Sequence, residues 1–165
     1  MQQRTGWFRP IESLDARITT YLARHSFTLL RVSLGFVFLM FGLLKFFPGM
    51  SPAEDMAKDA MNGLSLGVIP GSVGIYLVAA METTIGATLL TGRGRRLGVA
   101  LLGLAMIGVL SPLVLFPGEL FARDYNAPTL AGQYVVKDLV LLAATLMVAL
   151  RERGAQLVID RRATA

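Results

Sequence analysis

Four long apolar stretches, residues 27–47, 68–90, 97–116 and about 133–150, constrain this chain more than any other feature. Each is long enough, at about 1.5 Å of rise per helical residue, to cross the roughly 30 Å hydrocarbon core of a bilayer, the last being the shortest. Backbone inside lipid must satisfy its own hydrogen bonds, and none of the four shows the apolar–polar alternation of a barrel strand, so helices remain. The expectation is an all-α membrane protein, a four-transmembrane-helix bundle over residues 27–150. Charged residues make up 16% of the chain, against about a quarter in soluble domains, and 165 residues leave no room for a second globular domain.

Residues 1–26 mix acids and bases and contain no apolar h-region, which speaks against a removable signal peptide. Ile11, Leu14, Ile18 and Leu22 recur at helical spacing behind Trp7, Phe8 and Pro10, with Arg9, Arg17 and Arg24 around them. That pattern predicts an amphipathic helix lying on the membrane surface ahead of the first span. Residues 151–165 form a basic tail. Eleven of the sixteen basic residues fall on one side of the bundle: Arg4, Arg9, Arg17 and Arg24, then Arg93, Arg95 and Arg96, then Arg151, Arg153, Arg161 and Arg162. Lys58 and Arg123 fall on the other, so the positive-inside rule places both termini in the cytoplasm. The net charge of +5 is thereby read as topology, and nucleic acid is not an expected partner.

In the first outer loop, Ser51, Pro52 and Glu54 read as N-cap, first-turn proline and capping-box acid of a short helix. Met56, Ala57, Ala60 and Met61 share one face of it, and the expectation is a helix on the outer surface ending near Asn62-Gly63. The second outer loop carries Glu119, Phe121, Arg123, Asp124, Tyr125 and Pro128, and Tyr125 and Tyr134 suit an interfacial aromatic belt. The short turn from Thr91 to Arg96 predicts that spans two and three are antiparallel neighbours.

Several chemistries are excluded. With no cysteine there is no disulfide, thiolate metal site or iron–sulfur cluster, and one histidine, His25, cannot form a bis-histidine haem site. No serine–histidine–acid arrangement can be assembled, the spacing of Glu54, Asp55, Asp59, Glu119 and Asp124 fits no calcium loop, and Gly92-Arg93-Gly94 is too short to cradle phosphate. The eight methionines are scattered as packing residues. No metal and no intrinsic cofactor is expected.

Five charged residues lie inside the apolar stretches: Arg31, Lys45, Glu82, Lys137 and Asp138. Each costs about 2.5 to 3.5 kcal/mol at a span centre on insertion scales, so each needs a partner or a purpose. Arg31, Gly35, Phe38, Gly42 and Lys45 form one stripe at steps of three and four, and Ile75, Ala79, Glu82, Gly86 and Leu89 form another, so both stripes should face protein. Depth counted from the span ends pairs Arg31 with Glu82 and Lys45 with Asp138, leaving Lys137 for the outer interface or a ligand headgroup. Three readings stay open: structural ion pairs, a pocket for a small amphipathic molecule such as a quinone near Lys45, Lys137, Asp138 and Tyr134, and a proton or solute path through Glu82.

The sequence resembles the DoxX-like membrane proteins from about residue 28 to 150. The likeness rests on Leu30-Arg31-Val32-Ser33-Leu34-Gly35, Gly42-Leu43-Leu44-Lys45-Phe46-Phe47-Pro48, Glu82 four residues before Gly86, Ser111-Pro112-Leu113 through Phe116-Pro117, and Pro128-Thr129-Leu130 with Gly132-Gln133-Tyr134-Val135-Val136-Lys137-Asp138. Asp138 stands where relatives often carry asparagine, and the histidine that relatives often carry in the third span is missing. The resemblance implies a bacterial or archaeal inner-membrane protein with Arg31, Lys45, Glu82, Lys137 and Asp138 as its polar positions. It also implies association with a quinone-linked redox complex or with oxidative-stress proteins, so the expected partners are the bilayer, redox-enzyme subunits and further copies of the chain. A non-catalytic subunit or scaffold is the leading expectation. A quinone-binding component of an oxidoreductase, or a small transporter using Glu82, are the alternatives.

Overall fold

The computed structural model describes residues 9–121 and 127–156. Trp7, Phe8, Arg4, Arg123, Asp124, Tyr125, Arg161 and Arg162, singled out above, lie outside the described residues. The elements are all helical: α1 (Arg9–Leu44), α2 (Glu54–Leu64), α3 (Gly71–Thr91), α4 (Arg95–Leu110), α5 (Pro112–Leu115), α6 (Pro117–Leu120) and α7 (Leu130–Glu152). Four segments, Leu14–Leu44, Gly71–Thr91, Arg95–Leu115 and Leu130–Glu152, have the length and apolarity to cross a membrane. The protein is a multi-pass membrane bundle.

Contacts close the four spans into a ring in which α1 packs on α3, α3 on α4, α4 on α7 and α7 back on α1. Leu34, Phe38, Ile85, Leu89, Leu102, Ala105, Met106 and Val148 form the buried core, while large apolar residues such as Phe36, Ile107 and Val140 point outward, as lipid requires. The third span breaks where the sequence demands it. Pro112 has no N–H to donate, and the Ser111 hydroxyl turns back to the Gly108 carbonyl at 2.7 Å, so α4 gives way to the single turn of α5.

The α1–α3 seam sets the register of everything else. Gly35 lies against Leu89 and Leu90, Gly42 against Glu82 and Thr83, and Gly86 against Leu39, so the two helices run antiparallel with backbones in near contact. At Gly86 a Cβ would stand 2.5 Å from the backbone nitrogen of Leu39, which no rotamer change can relieve. Matching the ends of the apolar stretches would set Phe27 level with Leu90; the glycines instead set Gly35 there, a displacement of about 12 Å along the helix.

Two expectations change as a result. The N-terminal segment is not a separate helix, since α1 continues without interruption from Arg9 into the first span. And α1 stops at Leu44, partway along α3, leaving the first turns of α3 uncovered on that flank. The short loop helix fills this space: α2 packs against α3, α4 and α5, with Ala60 buried, Lys58 against Gly71 and Met61 against Gly74, instead of lying on the outer surface.

The start of α2 also differs. Its N-cap is Ala53, and the Ser51 hydroxyl is buried with no partner among the described residues. No side chain caps α2; Glu54, its first residue, instead ties down the loop ahead of it, accepting from the Gly49 N–H and from the Lys58 ammonium, each at 2.6 Å. The hydrogen bond from Lys58, and then the one from Gly49, hold the Glu54 carboxyl below the ordinary glutamate value, and the same contact holds Lys58 charged to higher pH than usual. At the other end, Thr129 is a true N-cap: its hydroxyl accepts from Gly132 at 3.1 Å and donates to the Glu119 carbonyl at 2.8 Å. The α3–α4 turn is as short as expected, with Gly92 and Gly94 at positive φ.

Two outcomes follow for measurement. Gly86→Ala should lower the unfolding free energy in detergent by about 1 to 3 kcal/mol through forced separation of α1 and α3, whereas Gly103→Ala, with open space around it, should be neutral or stabilising by about 0.5 to 1 kcal/mol. The Gly49 amide resonance should follow Glu54 with a midpoint below 4.5, because the carboxylate contact persists above that pH and is lost only as pH falls through the depressed value. Glu54→Gln should abolish that titration.

Candidate functional site

Both polar stripes face inward. Gly35, Phe38, Gly42 and Lys45 of the first are buried, as are Ile75, Ala79, Glu82, Gly86 and Leu89 of the second. The charges they carry meet in a different combination from that counted by depth. The Lys45 Nζ donates to Glu82 Oε2 at 2.6 Å, with the two side chains 6% and 7% exposed. The Phe41 ring lies 5.8 Å from the same ammonium. Glu82 is the twelfth residue of a 21-residue helix, about 14 to 16 Å from either end, so the pair sits at mid-depth of the span.

The displacement of α1 accounts for the exchange of partners. Once Gly42 lies against Glu82 and Thr83, Lys45 is within reach of the carboxylate and Arg31 is carried to the far end of α3. There the Arg31 guanidinium donates to the Leu89 carbonyl, one of the last carbonyls of α3, which have no acceptor role left inside their own helix. Arg31 is thus a C-terminal cap for α3, where a cation also meets the negative end of the helix dipole.

Asp138 is half-buried on α7 and lies within electrostatic reach of both Lys45 and Glu82. Lys137, the next residue, is exposed, and its ammonium lies over the exposed Tyr134 ring at 5.8 Å. The five charges accordingly fall into three groups: Lys45, Glu82 and Asp138 inside the ring, Arg31 at the end of α3, and Lys137 with Tyr134 on the outer flank of α7. His25 is exposed, bonds the Tyr21 carbonyl through Nδ1 at 2.8 Å and stacks on the Tyr21 ring, with no acid or nucleophile beside it in those contacts. Gly98, at the start of the third span, packs on Thr88 of α3 inside the protomer.

The DoxX family model matches residues 26–116, more than half of the chain. The chain belongs to the DoxX family. No curated protein and no solved structure matches it. The part matched to DoxX takes in Arg31, Lys45 and Glu82 and ends before Tyr134, Lys137 and Asp138.

At the opposite end of the helices from α2, Arg95 Nε reaches Glu152 at 3.3 Å and the Arg151 guanidinium lies 5.2 Å from the Phe27 ring centre. Depth counting does not find these contacts, because Glu152 falls just past the fourth apolar stretch. Its one signal in the sequence is an acid standing between Arg151 and Arg153.

Within this DoxX protein, Lys45→Met should lower the unfolding free energy in detergent by about 3 to 5 kcal/mol, since it leaves Glu82 buried without its counter-ion. The double variant Lys45→Leu with Glu82→Leu should recover most of that loss. A double variant as unstable as the single one would show that each group acts through other partners.

Proposed function

We propose that this DoxX family member is a non-catalytic membrane subunit or scaffold of a quinone-linked redox or oxidative-stress assembly. It lies in a bacterial or archaeal inner membrane with both termini in the cytoplasm. The observation that carries the reading is the closure of the Lys45–Glu82 pair: at 6% and 7% exposure the two groups offer no face to a substrate. A charge pair held this way fixes how two helices meet and favours one packing over others that would strand an ion. Neither a cysteine nor more than one histidine is available in the sequence to hold a redox centre, so electrons would belong to a partner. The link to redox chemistry comes from what the family resemblance implies, and the positive-inside distribution supports the orientation.

A second reading has its own observation. Tyr134 is 52% exposed beneath the Lys137 ammonium, an aromatic ring and a cation together on the flank of α7. That pairing suits the headgroup of a membrane quinone, and Lys137→Met should then weaken quinone binding without changing folded yield.

Affinity purification of the full chain from native membranes in mild detergent, followed by mass spectrometry, tests the first reading. A redox enzyme recovered in stoichiometric amount is the expected result. Turnover of a quinone substrate by the purified chain alone would overturn it.

A further inference from the structure

At the arginine-bearing end of the bundle, α1, α4 and the last turn of α7 border an open-sided cavity of about 450 Å³. Its walls carry Arg31, Arg95 and Arg151 against one carboxylate, Glu152, with Phe27 and Val148 on the apolar side. The arginines come from three different helices, and bringing them to one cavity requires the ring of spans to be closed.

Each guanidinium is already held by at least one contact. Arg31 donates to the Leu89 carbonyl, Arg95 reaches Glu152 at 3.3 Å, and Arg151 donates to the Ala155 carbonyl at 3.0 Å while lying over Phe27. A guanidinium has five N–H donors in a rigid fork, so these contacts orient the planes and leave most donors unspent among the described residues. Three cations against one carboxylate leave a local excess of positive charge. Forked donors in excess positive charge are the chemistry that takes phosphate oxygens, which guanidinium binds bidentately and an ammonium does not.

We propose that this cavity binds a phosphate group, carried on the headgroup of an anionic lipid. The apolar wall argues for the lipid over the free ion. Phe27 and Val148 border the cavity, and the Phe27 ring lies beneath the Arg151 guanidinium, so apolar surface stands directly beside the donors where a lipid's glycerol and first acyl carbons can pack. The site is separate from the Lys45–Glu82 pair and does not depend on the function proposed above.

The test uses the full-length protein in a mild non-ionic detergent, with native mass spectrometry of bound phosphatidylglycerol. Arg95→Gln and Arg151→Gln should each weaken retention by about tenfold, the loss of a charge-assisted hydrogen bond. Arg153→Gln, an exposed neighbour outside the cavity, should leave it unchanged. Circular dichroism and elution volume confirm that each variant folds; Arg31 is left intact because it caps α3. Equal retention of zwitterionic phosphatidylcholine would overturn the proposal in favour of lipid adhesion without headgroup selectivity, and an equal loss in Arg153→Gln would overturn it in favour of general charge attraction. Displacement of phosphatidylglycerol by millimolar inorganic phosphate would support the site and assign it to the free ion; retention under the same conditions assigns it to the lipid.

Discussion

The close approach of α1 and α3 is the constraint on which the rest of the structure depends. Gly35, Gly42 and Gly86 remove the side chains that would hold the backbones apart, and in this register all three lie against the facing helix at once. In lipid there is little hydrophobic gain from one helix meeting another, so packing of this kind and polar contacts between helices select the arrangement. The Lys45–Glu82 pair acts in the same direction. A shift of one turn would cost both the glycine fit and the partner of a buried charge, and the two penalties reinforce each other.

Several consequences follow from this one register. Lys45 is taken from the end of an apolar stretch to the middle of α3, and Arg31 is taken past Glu82 to the carbonyls at the end of α3. The flank that α1 does not reach becomes the seat of α2, so a loop segment takes over part of the core. Residues that look interfacial when counted from hydropathy become interior, and an interior arginine becomes a cap.

The number and type of spans, their inward-facing stripes and the α3–α4 turn were legible in the residues, because each depends on local period or on a short connection. The axial offset between helices was not. Hydropathy marks where a helix can meet lipid, yet a span such as α1, extended by polar turns at one end, can slide without changing that profile. Glycine positions hold the missing information: seating Gly42 against Thr83 and Gly86 against Leu39 gives the offset and hence the Lys45–Glu82 pair. The Ser51–Glu54 motif was half legible. Glu54 does reach back to a backbone N–H, but to that of Gly49 ahead of the helix and not to the N-cap, whereas Ser51 turns into the interior.

The sequence distance between Lys45 and Glu82 bears on how the bundle is made. The two are 37 residues apart, so the ribosome completes the first span well before the acid has been synthesised. During that interval the lysine stands beyond the last residue of a helix and can keep its ammonium in the headgroup layer. Only when α3 enters does a carboxylate become available at mid-depth, where the final register of α1 brings the lysine to it. The length of α1, 36 residues or about 54 Å against a core of roughly 30 Å, allows that register with lipid-compatible helix still crossing the membrane. Biogenesis would thus proceed by insertion first and register second, with the ion pair acting as the latch that holds the register.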